Sequence, residues 1–195
     1  KVFYQRSFGN HTYDQSSKLV ANDDIYDLAS ITKIASSAAA IMKLYEEGLI
    51  HLDSTLKTYL PDMVSGSEYE NIILKEMLTH QARFTPWIPF HFKTLHKGQP
   101  KYDVYSIKQS DYFDKRVAEN MYIYSAYRDT IFKQILQTAL LKEKKYKYSD
   151  VGYYFFNEII QRIKNTTQDQ YVENEIYNRL GLKNIGYKPR EKWPL

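Results

Sequence analysis

The run IYDLASITKIASSAAAIMKLYEEGLI, residues 25–50, has the clearest pattern in the chain. From Ser30 onward Ile34, Ala35, Ala38, Ile41, Met42 and Tyr45 recur at helical spacing, with Ala39 and Ala40 filling much of the remainder. A helix that is small and apolar on nearly every face predicts a buried central helix with other elements packed close around it. Gly48, after Glu46 and Glu47, is its expected stop. Further helical spacing predicts a short helix over 71–81, apolar at Ile72, Ile73, Met77 and Leu78. Others are expected over about 127–141 and 151–164, and a last one in QDQYVENEIYNRLGL, stopped by Gly181. Residues 1–9, KVFYQRSFG, have strand-like composition and run into the turn residues GNHTYD, which predicts a β-hairpin. Pro86, Pro89, Gly98 and Pro100 among aromatics make 84–115 a long irregular excursion. The expected architecture is α+β, helices dominating and strands only at the start.

Composition narrows this picture in a few ways. With 195 residues and 43% hydrophobic composition the chain can bury one real core, so a single domain, or most of one, is expected over 1–195. Its 27 basic and 23 acidic residues give a formal charge of +4, spread along the sequence, which argues little for nucleic acid. KEKKYKYS at 142–149 reads as a solvated helix end or loop. The absence of cysteine excludes disulfides, thiolate metal sites and cysteine nucleophiles. No apolar run reaches the roughly 18 to 20 residues that span a bilayer, and the histidines lack metal-ligand spacing. No metal or other cofactor is expected. The 19 tyrosines read first as amphipathic packing.

Candidate chemistry begins at Ser30 and Lys33. A serine hydroxyl attacks a carbonyl only once a base takes its proton, and residues three apart on a helix share a face. Apolar surroundings and the helix N-terminal dipole would both lower the pKa of Lys33 and suit it to that role. The motif alone is weak. Ser54 and Lys57 repeat it in a polar loop, and a capping serine followed by a surface lysine explains Ser30 equally well. A second element, Tyr148-Ser149-Asp150, stands in a short loop leading straight into Gly152 and an amphipathic helix. A tyrosine there can share the proton of a nucleophile, and Asp150 can hydrogen-bond a lysine or a substrate amide.

Ser30-Ile-Thr-Lys33, EEGLIHLDSTLKTYLPD, LKEMLTHQA, YSDVGYYFFNEII and RLGLKNIGY stand in the order seen in the serine β-lactamase and penicillin-binding-protein superfamily. The resemblance covers nearly the whole chain and is strongest to the class C and esterase-like branch. THQA, WIPF and YKYSDVGYYF are also similar to the β-lactamase-like module fused to a family 3 glycoside hydrolase domain. The resemblance implies a serine acyl-enzyme mechanism on an amide or ester. Ser30 would be the nucleophile, Lys33 and Tyr148 would manage its proton, and the Ser30 N–H would form half an oxyanion hole. It also implies a small-molecule, peptide or ester substrate, peptidoglycan-derived peptides among them, and an extracytoplasmic location. Asp150 stands where many relatives have asparagine, and a carboxylate there would raise the pKa of Lys33 and work against its role as base.

The sequence departs from the family pattern after Asp150. A Lys or His, any residue, then Gly is required on a later strand, and Gly152, Gly181 and Gly186 do not supply it. His96-Lys97-Gly98 has the letters but precedes Tyr148, and reads as coincidence. The family's sheet draws most of its strands from beyond this point. The 195 residues are therefore expected to be one incomplete domain, inactive alone and part of a longer chain or completed by another. Arg83 stands where relatives place glycine; if a left-handed turn is needed there it costs about 1 kcal/mol. His80 is expected to be a structural hydrogen-bonding residue. The two functions consistent with these residues are a serine hydrolase domain of the β-lactamase, esterase or peptidase type and a non-catalytic scaffold binding cell-wall fragments or serving as a structural module.

Overall fold

The computed structural model describes residues 2–192; of the expected hairpin, Lys1 lies outside the described residues, as do residues 193–195. A long helix begins at residue 31 and runs as a π-helical segment, Lys33–Ala38, into α1 (Ala39–Glu46). It ends as expected at Gly48, whose φ of 70° lets the Leu49 N–H reach back to the Leu44 carbonyl at 2.9 Å. Two short helices follow, α2 (Leu56–Tyr59) and α3 (Pro61–Val64), and then α4 (Leu74–Leu78). α4 is shorter than the spacing predicts because Ile73 is extended and bridges Thr55, while His80, at φ 55°, turns the chain beyond it.

Helices return with α5 (Tyr127–Leu136) and α6 (Val151–Lys164). α7 (Gln168–Val172) continues into a π-helical segment, Glu173–Tyr177, and α8 (Pro189–Lys192) closes the described chain. The core forms where α1, α6 and α7 meet, from Ala40, Ile41 and Leu44 against Phe155, Phe156 and Ile159, with Tyr171 and Val172 alongside. α4 packs on the start of α6 at an unusually close approach. A Cβ on Gly152 would lie 3.2 Å from the Met77 Cβ and 3.3 Å from the Phe84 ring, so a residue with no side chain suits that position.

Three expectations are revised. The hairpin is present in reduced form, as one antiparallel bridge between Asn10 and Leu19 flanked by Val20 N–H to Gly9 and His11 N–H to Lys18 bonds. Among the described residues no strand lies beside it to extend the pairing. Strands occur instead within the excursion. β1 (Leu95–His96) pairs with β2 (Gln99–Pro100), and β3 (Tyr105–Ser106), β5 (Met121–Ile123) and β4 (Lys115–Ala118) form a three-stranded antiparallel sheet in that order. Lys97 and Gly98, at φ 48° and 77°, are the two central residues of the β1–β2 turn, so this glycine serves turn geometry. Finally, the helix over 31–46 is not covered on every face. Ile34 is 67% exposed, Met42 71% and Tyr45 55%, because α6 and α7 pack on one side of it only.

Candidate active site

Ser30 sits at the turn entering the long helix, directly after Ala29, which is held at a left-handed φ of 43°. Its hydroxyl accepts a hydrogen bond from Lys33 Nζ at 2.8 Å, so its side chain is spent on the lysine rather than on capping. Lys33 opens the π-helical segment, and its side chain is only 14% exposed. Its ammonium also pairs with Asp150 Oδ1 at 2.6 Å and lies 5.1 Å and 5.5 Å from the ring centroids of Tyr148 and Tyr153. The four residues singled out from sequence thus meet at one ammonium, brought from opposite ends of the chain by the packing of the first long helix on α6.

The electrostatics differ from the simple expectation for Lys33. Burial, the largest single influence, pulls its pKa down, but hydrogen bonds and charge attraction from Asp150 and Tyr148 together raise it above the ordinary lysine value. The lowering expected from apolar surroundings and the helix dipole is overturned by the carboxylate, as the asparagine-to-aspartate departure implied. Tyr148 moves the other way. Hydrogen bonds to Lys33 first and Ser30 second hold its phenol below the ordinary tyrosine value. The two shifts run in opposite directions: the arrangement favours the charged ammonium of Lys33 and makes the Tyr148 phenol more acidic.

The loop carrying Tyr148 is fixed by Ser149, which the sequence did not single out, and by His80, expected as a structural hydrogen-bonding residue. Ser149 is 3% exposed; its hydroxyl donates to the Thr85 carbonyl at 2.6 Å and accepts the Val151 N–H at 3.1 Å, closing the first turn of α6. The Asp150 N–H donates to the Pro86 carbonyl at 2.8 Å, and the Lys147 N–H to the His80 carbonyl at 2.8 Å. His80 Nδ1 accepts the Ser149 N–H at 3.2 Å. The segment 80–86 is thus a cradle for the 147–151 loop. Arg83, within it, does adopt the left-handed conformation, φ 61°, and its carbonyl accepts the Leu141 N–H at 2.7 Å. A serine in a Tyr-Ser-Asp triplet just before a helix was the signal available for Ser149.

Behind Lys33 a buried polar cluster ties the two π-helical segments together. Gln168 Nε2 donates to Ser36 and Ser37 at 2.8 and 2.9 Å, and the Tyr177 hydroxyl donates to the Ala35 carbonyl at 3.0 Å. Ser54 and Lys57 take no part: Lys57 pairs with Glu70 at 3.0 Å. The basic run at 142–149 is partly neutralised, with Lys144 paired to Glu76 and Lys145 to Glu143. Among the described residues no group of three or more His, Cys, Asp or Glu side chains is placed to hold a metal, and no helix is long and apolar enough to cross a membrane.

The β-lactamase family model matches residues 1–194. The chain belongs to the β-lactamase family. Among curated proteins, one from Salmonella agona (strain SL483), provisionally named a D-alanyl-D-alanine carboxypeptidase, is 29% identical over 198 residues, covering 97% of this chain and 40% of that protein. This β-lactamase-family chain therefore spans about two fifths of the length of such relatives. Among solved structures, a class C β-lactamase from Rhodobacter sphaeroides superposes with a TM-score of 0.57 at 19% identity, over 87% of this chain and 39% of that one. A D-amino acid amidase from Ochrobactrum anthropi SV3 gives 0.58 at 18%, over 86% and 41%. These two likenesses establish a shared fold, the α+β β-lactamase and transpeptidase architecture.

Proposed function

We propose that the protein containing this chain is a serine acyl-transfer hydrolase, with Ser30 as nucleophile, Tyr148 as proton acceptor and donor, and Lys33 as the cation that holds both. The observation that carries the reading is the Lys33 ammonium, 2.8 Å from the Ser30 hydroxyl and hydrogen-bonded to a Tyr148 phenol that it makes more acidic. In the forward step, with Tyr148 ionised, the Ser30 oxygen bonds to the substrate carbonyl carbon as its proton passes to the Tyr148 phenolate oxygen, leaving a tetrahedral oxyanion. The Ser30 N–H supplies one donor to that oxyanion. Collapse breaks the bond to the leaving amine or alcohol, which takes the proton back from Tyr148. Water then attacks the acyl-serine, the proton again passing through Tyr148, and restores the hydroxyl. No metal or cofactor enters the scheme.

Substrate class follows by analogy with the named relatives: a peptide ending in D-alanyl-D-alanine, a β-lactam or a small amide, met outside the cytoplasm. We further propose that the 195 residues are one incomplete domain, because they span about two fifths of the length of the curated relative and hold no (Lys/His)-x-Gly after Tyr148, the strand that would carry the second oxyanion donor. One missing donor costs on the order of a hundredfold in rate or more, so the 195 residues alone are expected to show no turnover. The coding sequence on either side tests this and would also reveal any glycoside hydrolase domain. Full-length protein should release the terminal D-alanine from a D-alanyl-D-alanine peptide or open a β-lactam, and Ser30→Ala should not. Equal rates from both would refute the nucleophile assignment.

A second reading is favoured by the Lys33–Asp150 pair, which keeps Lys33 charged: a non-catalytic scaffold that binds cell-wall fragments or serves as a structural module. Binding of such fragments unaffected by Ser30→Ala, without turnover, would support it.

A further inference from the structure

We propose that His80 is a positioning residue: its neutral ring, accepting the Ser149 N–H at Nδ1, clamps the turn that carries Tyr148 and Asp150, and protonating that ring releases the turn. This rests on the acyl-transfer reading of Ser30 for its effect on reactivity, but not for the clamp itself.

The argument begins with the hydrogen-bond inventory. A buried backbone N–H must find an acceptor, and Ser149 is buried. An imidazole nitrogen accepts only when it carries no proton, so the 3.2 Å bond requires His80 to be neutral with its proton on Nε2. His80 also holds the same turn through its own carbonyl, which accepts the Lys147 N–H. One residue therefore secures both sides of Tyr148, and its left-handed backbone, φ 55°, aims the ring at the turn.

Contact with the site is direct. The His80 ring lies 4.6 Å from the Tyr148 ring, 5.9 Å from that of Tyr153 on α6 and 6.0 Å from that of Tyr146. The charges that it meets are the Lys33 ammonium from the first long helix and the Asp150 carboxylate from the turn itself. Lys147, in the same turn, lines one small crevice together with His80, Met77 and Phe84. Burial first, and the nearby Lys33 charge second, hold the His80 pKa below the ordinary histidine value, outweighing the Asp150 attraction. The clamp is therefore fully set above the ordinary histidine range and is lost as pH falls through the lowered value. A second cation beside Lys33 would then add to the disturbance.

The test uses full-length protein and two readouts. Fluorophosphonate labelling of Ser30, followed by intact mass from pH 4 to 8, should show, beside the effect of protonating Tyr148, an acid limb that follows the His80 titration seen by NMR. His80→Asn, whose amide oxygen can accept but cannot titrate, should label more slowly near neutrality yet lose that acid limb. His80→Phe, which cannot accept at all, should label about tenfold more slowly throughout, the scale of a buried donor left unpaired. Nitrogen-15 NMR of the wild type should show Nδ1 unprotonated at neutral pH and the Ser149 amide shifting together with the His80 titration. An Nδ1-protonated ring at neutral pH, a Ser149 amide indifferent to the titration, or an acid limb unchanged in His80→Asn would overturn the clamp. Absence of label at every pH would instead refute the nucleophile assignment, with the NMR measurement still deciding the role of His80.

Discussion

Removing the Ser149 hydroxyl isolates the support of the Tyr148 loop from the groups that would do chemistry. In Ser149→Ala two hydrogen bonds vanish: the 2.6 Å bond to the Thr85 carbonyl and the 3.1 Å bond from the Val151 N–H. Each bond is worth about 1 kcal/mol net. The second also satisfies one of the orphan donors at the start of α6, the Val151 N–H. Val151 is fully buried, so water offers its N–H no easy replacement. Ser149→Ala is therefore expected to destabilise the protein by about 2 kcal/mol, read as the change in unfolding free energy in urea. Ser65→Ala, at an exposed position, is the control and should change stability by no more than about 0.5 kcal/mol. Because Ser149 stands between Tyr148 and Asp150, labelling of Ser30 should fall by more than the added unfolded fraction explains. A Ser149→Ala protein as stable as the control, labelled at the wild-type rate, would refute the claim that segment 80–86 cradles this loop.

Two other substitutions probe separate parts of the account. In Asp150→Asn the carboxylate that favours the charged form of Lys33 is gone, so the Lys33 titration, followed by the carbon-13 shift of its Cε, should move to lower pH. High salt should diminish the difference between the two proteins, since the Asp150 side chain is 43% exposed; an unmoved or raised titration would contradict the pairing. Arg83→Gly removes a left-handed arginine, a gain of about 1–2 kcal/mol, against the greater freedom of glycine in the unfolded chain, about 0.5–1 kcal/mol. A net stabilisation of roughly 0.5 kcal/mol should appear in the urea midpoint, with none for Arg83→Ala, which keeps its Cβ.

Much of this arrangement was legible in the residues. The helix over 151–164 agrees with its spacing because apolar Val151, Phe155, Phe156, Ile159 and Ile160 fall on one face and pack into the core. The long first helix was equally plain in kind, but its surroundings were not. Periodicity reports that Ile34, Met42 and Tyr45 are apolar; it cannot report whether anything covers them. The five short strands between 95 and 123 were unreadable because strands of two to four residues hold too few positions for alternation to register, and prolines and glycines obscured the rest. At the site, residue types and order brought out Ser30, Lys33, Tyr148 and Asp150. The direction of the Lys33 shift depended on distances: a helix start and apolar neighbours argue for lowering, and the Asp150 carboxylate at 2.6 Å, with the Tyr148 hydroxyl beside it, reverses it. Ser149 went unassigned, and His80 was expected only as a structural hydrogen-bonding residue with no partner named, because their roles run through backbone groups, which carry no sequence identity.

Covalent capture of Ser30 tests the central claim most directly. Full-length protein treated with a fluorophosphonate or a β-lactam and analysed by intact mass and peptide mapping should carry one adduct, on Ser30. Ser30→Ala should carry none, and Tyr148→Phe should acquire it far more slowly. No adduct on the wild type, or an adduct that persists in Ser30→Ala, would contradict the assignment of Ser30 as the nucleophile.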